Sequence, residues 1–132
     1  MVDVLDVVRD FLIADTTGVY ALTGSRIYAG RDVPPVGYTL DDGQCITLKA
    51  RGGSTAYDDP HVNASIQVKC YGATEYAAET LYRAVYNRLH LGRSTTILHS
   101  EIEILGQQLE EPGTQWFFTL AYFLVLVRAS EI

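Results

Sequence analysis

Cysteine is scarce in this sequence. Cys45 and Cys70 are its only two, too few for the disulfide framework of a small secreted domain. Cys70 shares the apolar phase of its segment, whereas Cys45 is out of phase with Ile46 and Leu48. The two thiols are therefore expected on different sides of a sheet, unbridged, in a reducing compartment. Basic residues are also few: ten Lys and Arg stand against sixteen Asp and Glu, for a net charge of -6. A protein held on nucleic acid through phosphates needs a basic face, so that class is disfavoured. DNA passing an acidic wall without being held remains compatible with this charge. The most apolar run, Trp116 to Val127, falls short of the ~20 residues that span a bilayer. The opening Met-Val-Asp-Val-Leu-Asp carries acids where a secretory signal carries bases, so no signal peptide is expected. A Gly-rich phosphate loop, a nucleophile elbow, a Cys-x-x-Cys pair and a His-Glu-x-x-His helix are all missing. Gly52-Gly53 is not followed by a helix start, so it is no phosphate cradle. An enzyme is thus the weaker class, and no cofactor or metal is expected.

What is present reads as one folded domain over residues 1–132. The chain is 48% hydrophobic and 20% charged, and 132 residues can bury a real core. Its clearest stretch runs from Val62 to Leu91. Val62, Ala64, Ile66, Val68 and Cys70 alternate with Asn63, Ser65, Gln67, Lys69 and Tyr71, the period of a strand with one buried face. Gly72-Ala73-Thr74 breaks the pattern. Beyond it Ala78, Leu81, Val85 and Leu89 recur at helical spacing, beside Ala77 and Ala84. Thr74 is the expected N-cap, Glu75 suits the helix start, Glu79 and Arg83 can pair, and Gly92 is the expected stop.

Around this unit the pattern predicts five further segments. Val2 to Ala14 forms an amphipathic helix ended by Gly18 in a left-handed conformation. Ile27–Ala29 is a short strand, and Gly30 to Gly43, with adjacent Pro34 and Pro35, is a long loop. Cys45 to Ala50 is a strand, joined by the loop Arg51 to Pro60 to the strand starting at Val62, as a hairpin. Thr96 to Gly106 is a strand with Leu98, Ser100, Ile102 and Ile104 on one face and His99, Glu101 and Glu103 on the other. Gln107 to Thr114 is a polar connection ending in a turn at Glu111-Pro112-Gly113-Thr114. Trp116 to Val127 is apolar in both phases, as expected of a central strand covered on both faces. The fold class expected is α+β: a two-layer sandwich of four to five mostly antiparallel strands with two helices on one face. The other face, carrying Phe117, Phe123, Val125 and Val127 or their opposite-phase neighbours, would lack an internal cover and invite self-association.

Three clusters could carry chemistry. Tyr57-Asp58-Asp59-Pro60-His61 gathers two carboxylates and an imidazole, but no further ligand has metal-site spacing, so turn chemistry explains it better. His99, Glu101 and Glu103 could form a metal or acid–base site, an acidic stripe facing a channel, or an exposed strand face; exposure is the simplest reading. The nine tyrosines, with Tyr76, Tyr82 and Tyr86 at the edge of the helix stripe, suit a protein interface or packing at the core margin.

The order of elements resembles that of the tail terminator (tail completion) proteins of tailed bacteriophages. The likeness is carried by SIQVKCYGATEYAAETLYRAVYNRLH, by the preceding Pro/Gly loop and strand, and by the final FFTLAYFLVLVRAS. It implies a structural virion protein assembled in the host cytoplasm. Six or so copies would form a ring that caps the tail tube, stops its polymerisation and joins the head and neck. The implied partners are further copies, the tail tube protein and a head-completion or neck protein, with DNA passing unbound and no membrane. Arg31, Asp32, Arg51, Tyr57, Asp58 and Asp59 are the expected interface residues, and Glu101 and Glu103 the expected acidic lumen or exposed face. A head-completion or neck connector is the alternative, and a small-ligand- or metal-binding α+β oligomer the next.

Overall fold

The computed structural model describes residues 4–31, 33–39, 43–54, 61–94, 97–110 and 116–128. Helix α1 (Val4–Ile13) buries Val8, Phe11 and Leu12, the stripe read from its spacing. The short helix α2 (Val19–Thr23) follows, then strand β1 (Ile27–Ala29), strand β2 (Cys45–Ser54) and strand β3 (His61–Gly72). Helix α3 (Glu75–Leu89) leads to strands β4 (Ile97–Glu110) and β5 (Phe117–Arg128). The strands form one sheet in the order β1-β2-β3-β5-β4. Only β1–β2 is parallel; the other three pairings are antiparallel. This is the expected α+β architecture with one helix more than the pattern indicated. Five residues make little more than one turn, too short for periodicity to reveal α2.

The strand–helix cassette forms as read. Thr74 Oγ1 accepts the Ala77 N–H at 3.1 Å, and Arg83 Nε lies 3.5 Å from Glu79 Oε1. A Cβ on Gly72 would lie 2.5 Å from the Ala78 nitrogen. The break residue is therefore a glycine because the first turn of α3 rests on the end of β3.

Other expectations are corrected. Gly18 is not left-handed: its φ is -111°, and it precedes α2. The Asp15 carboxylate instead accepts the Val19 N–H at 3.2 Å and caps that helix. After α3 the left-handed residue is Leu91, φ 60°, rather than Gly92; Gly92 packs against Arg88 and the Phe11 ring. Strand β2 runs on through Arg51 to Ser54, past a bulge between Ala50 and Gly52. Residues 107–110, expected as a connection, continue β4; the turn expected at 111–114 lies outside the described residues. The face assignment within β4 also changes. Bulges after Ile97, Ile102 and Ile104 shift its register, so Ile97 and Ser100 are buried while Ile104 and Leu105 are 46% and 69% exposed. Alternation read from sequence assumes an unbroken period of two, which each bulge resets.

The main core lies between helices and sheet. It joins Val8, Leu12, Leu81, Val85 and Leu89 to Ile46, Leu48, Ile66, Val68, Ala121, Phe123 and Val125. Cys70 belongs to it; Cys45 belongs to a smaller cluster with Tyr38, Tyr71 and Phe118. The thiols are unbridged and buried, on opposite faces as expected. Strand β5, expected to be central, is interior, between β3 and the edge strand β4, and its second face is half-buried, not closed, at Leu120, Tyr122, Leu124 and Leu126.

Candidate interaction face

The opposite phase of the strands builds the second face of the sheet. Register places Ser65 beside Leu124, Gln67 beside Tyr122 and Lys69 beside Leu120. On the other flank Leu124 pairs with Glu101 and Leu126 with His99. The result is an apolar stripe along β5 bordered by polar and charged side chains, without a helix residue in its packing cluster.

One end of this face is closed by the chain itself. Tyr38 packs edge-on to Tyr28 and Trp116, with centroids 6.2 and 5.6 Å apart. Trp116 in turn meets Tyr71. The Tyr38 hydroxyl donates to the Gly43 carbonyl, pinning the loop after β1. A groove of about 320 Å³ runs between Val33–Tyr38 and Trp116, with Val36 fully exposed at its rim.

The middle is crossed by an ionic strap. Arg51 Nη1 lies 3.6 Å from Glu103 Oε1, and the Ser65 hydroxyl donates to the same oxygen at 2.6 Å. The Arg51 guanidinium sits 4.3 Å from the Tyr122 ring centroid, a cation–π contact. Lys69 Nζ covers Phe118 in the same way at 4.9 Å. Arg51 and Glu103 both occupy register shifts, in β2 and β4. Bulges re-aim side chains, and here two of them turn outlying residues inward over β3 and β5. Both partners are substantially exposed, so the ion pair itself is worth about 0.2–1 kcal/mol.

The expected site residues thus fall into three groups. Arg51 and Glu103, read separately as an interface residue and a lumen residue, are brought together. Glu101 is exposed and pairs with His99 at 3.6 Å. Arg31 is exposed, its Nε donating to the Val33 carbonyl at 3.2 Å. Asp32, Tyr57, Asp58 and Asp59 lie outside the described residues, as does most of the Tyr57–His61 cluster. Sequence reading missed Tyr122, Ser65 and the groove at Tyr38 and Trp116. Gly52-Gly53 after Arg51 was the available signal, since glycine inside a strand marks bulges.

The helix tyrosines, left open between an interface and packing at the core margin, take different positions. Tyr82 is buried and Tyr76 is 80% exposed. Tyr86 stacks on His90 with centroids 4.8 Å apart. The Tyr82 hydroxyl accepts the Gly106 N–H at 3.0 Å; a Cβ on Gly106 would stand 2.7 Å from that ring. Tyr82 is thus packing rather than interface.

Burial pushes the Cys45 thiol up to about 11 and raises Cys70 further, so neither is a thiolate near neutrality. Among the described residues no three His, Cys, Asp or Glu side chains gather as a metal site. Glu103 is turned to Arg51, leaving His99 and Glu101 as a pair. Among the described residues no helix is long and apolar enough to cross a membrane.

No protein-family model matches the chain, and no curated protein matches it. Among solved structures, it is similar to a chain of one described as the virion of a native gene transfer agent (GTA) particle. The TM-score is 0.65 at 16% identity, over 92% of this chain and 91% of that one. The likeness is one of fold.

Proposed function

We propose that this protein is a structural component of a phage-like particle, and specifically a ring-forming tail terminator. The fold likeness to a chain of a gene transfer agent virion, spanning nine-tenths of both chains, carries the reading. The incompletely covered sheet face supports it: an apolar stripe rimmed by charge suits contact with other subunits. The sheet provides subunit contacts. Residues 31–32 and 57–59 are the contacts to the tail tube in this reading, and the net acidic surface keeps DNA in the bore from sticking. The part is non-catalytic.

Purified protein mixed with preformed tail tubes tests this. The expected result, by negative-stain microscopy and solution mass, is a closed ring of several copies, six on the family pattern, seated on one tube end and halting elongation. Rings that ignore tubes and bind the portal side of filled heads would move the assignment to a neck connector. A protein that stays monomeric, alone and with either partner, would overturn both. Removing residues 54–59 should abolish capping while leaving the monomer folded; unchanged capping would remove those residues from the docking surface.

A further inference from the structure

The two outer edges of the sheet are unequal, and each is only half covered. On β4 the first half is occupied. Ile97 N–H donates to Ser94 Oγ, Leu91 N–H to the Ser100 carbonyl, and Ile102 N–H to His90 Nδ1. From Glu103 to Glu110 the only outward backbone bond among the described residues is Gly106 N–H to the Tyr82 hydroxyl. On the opposite edge β1 covers β2 no further than Leu48, whose carbonyl receives the Gly30 and Arg31 N–H groups. From Lys49 to Ser54 the outer edge of β2 has no strand beside it among the described residues.

These two open edges match in charge. Glu103 and Arg51 are already paired with each other inside one copy, which leaves Glu110 as the remaining acid of residues 103–110, EILGQQLE, and Lys49 as the remaining base of residues 49–54, KARGGS. They also match in direction. Strands β2 and β5 run one way, β3 and β4 the other. If copies follow one another head to tail with strand direction kept, β4 of one meets β2 of the next antiparallel. Within one copy Lys49 lies level with Ile104, through Gln67 and Tyr122, so a neighbour shifted along the strands would set Glu110, the last residue of β4, beside Lys49, the first residue of β2 beyond the reach of β1. Exposed edges are normally protected from such pairing, yet this stretch of β4 displays Ile104 and Leu105 to solvent.

We propose that residues 105–110 of one copy pair antiparallel with residues 49–54 of a second copy, so that the sheet continues across each subunit boundary. The inference rests on the ring reading above and names its joint. Because the two edges lie on opposite sides of the sheet, the contact is heterologous and propagates around a ring.

Charge reversal tests it. Lys49→Glu leaves acid facing acid at the joint, and Glu110→Lys leaves base facing base. Each variant alone should raise the concentration for half-assembly about tenfold or more, since like charges across an interface are strongly unfavourable. Mixing the two variants should restore rings of alternating subunits, seen by native mass spectrometry as even copy numbers. Circular dichroism of each monomer reports that the fold is kept. If the unaltered protein assembles and neither reversal changes its assembly, or mixing restores nothing, the joint is wrong while the ring reading stands. If the unaltered protein never assembles, alone or on tubes, the ring reading itself falls.

Discussion

Tyr122 and Phe123 are neighbours in the chain and opposites in the fold. Phe123 faces the helices and is fully buried, among Ile66, Leu81 and Val85 in the main core. Tyr122 faces the other way, half-buried, under the Arg51 guanidinium. One face of the sheet is closed by α1, α2 and α3; the other is capped at one end by Tyr38 and Trp116 and spanned by the Arg51–Glu103 pair. The first face supplies stability. The second retains apolar surface that costs little to expose and gains by meeting a partner.

The largest test of that contrast is truncation on each side of β5. Phe123→Ala should lower unfolding free energy by about 3–5 kcal/mol, through lost burial and a cavity. Tyr122→Ala should cost roughly 1 kcal/mol or less in the monomer while weakening self-association. Denaturant titration and solution mass read the two effects. Equal stability losses would mean that the second face is core and not interface.

Gly72→Ala probes how tightly the covered face is closed. The added methyl would force the first turn of α3 away from β3. A loss of about 1–3 kcal/mol is expected from such overpacking, visible as a lowered Tm. An unchanged Tm would show slack at this junction.

Alkaline titration probes the capped end. The Cys45 thiol is raised by burial from its ordinary value near 9 to about 11. The unfolded chain ionises first, so this contribution is complete below about pH 8 and is lost as pH rises through 9 to 11. Cys70 adds a loss of the same sign. Cys45→Ala should therefore flatten the fall of Tm between pH 9 and 11; an unaltered slope would assign it to other groups.

The smallest effect belongs to the strap. Arg51→Ala and Glu103→Gln should each change monomer stability by under about 1 kcal/mol, and a double-mutant cycle should give a coupling of about 0.2–1 kcal/mol that shrinks in high salt. A larger, salt-insensitive coupling would make the strap part of the monomer's core energetics.

Much of this was legible in residue order, and the reasons are local. The alternation through Ala64, Ile66, Val68 and Cys70 fixes which face of β3 is buried. The spacing of Ala78, Leu81, Val85 and Leu89 fixes the face of α3, and Thr74 marks its start. The placement of Cys45 and Cys70 on opposite faces follows from the same period of two. The five residues of α2 were hidden because they complete little more than one helical turn. Within β4, Leu98, Ser100, Ile102 and Ile104 were placed on one face by a period that bulges interrupt, and Tyr82 was left between interface and core margin because the register shift at Gly106 that makes room for its ring is not visible in residue order.

The sequence by itself determined the α+β class, the central strand–helix unit and the capping of α3. Each of these follows from side-chain periodicity or residue type within a few positions. Only the tertiary structure decided that Arg51 and Glu103 meet over Ser65 and Tyr122, that β5 lies between β3 and β4, and that residues 49–54 and 103–110 have no strand on their outer side among the described residues. Those features depend on strand order and on bulges. Strand order is set by packing the whole sheet against its helices, and a bulge is defined only by the partner strand it fails to match.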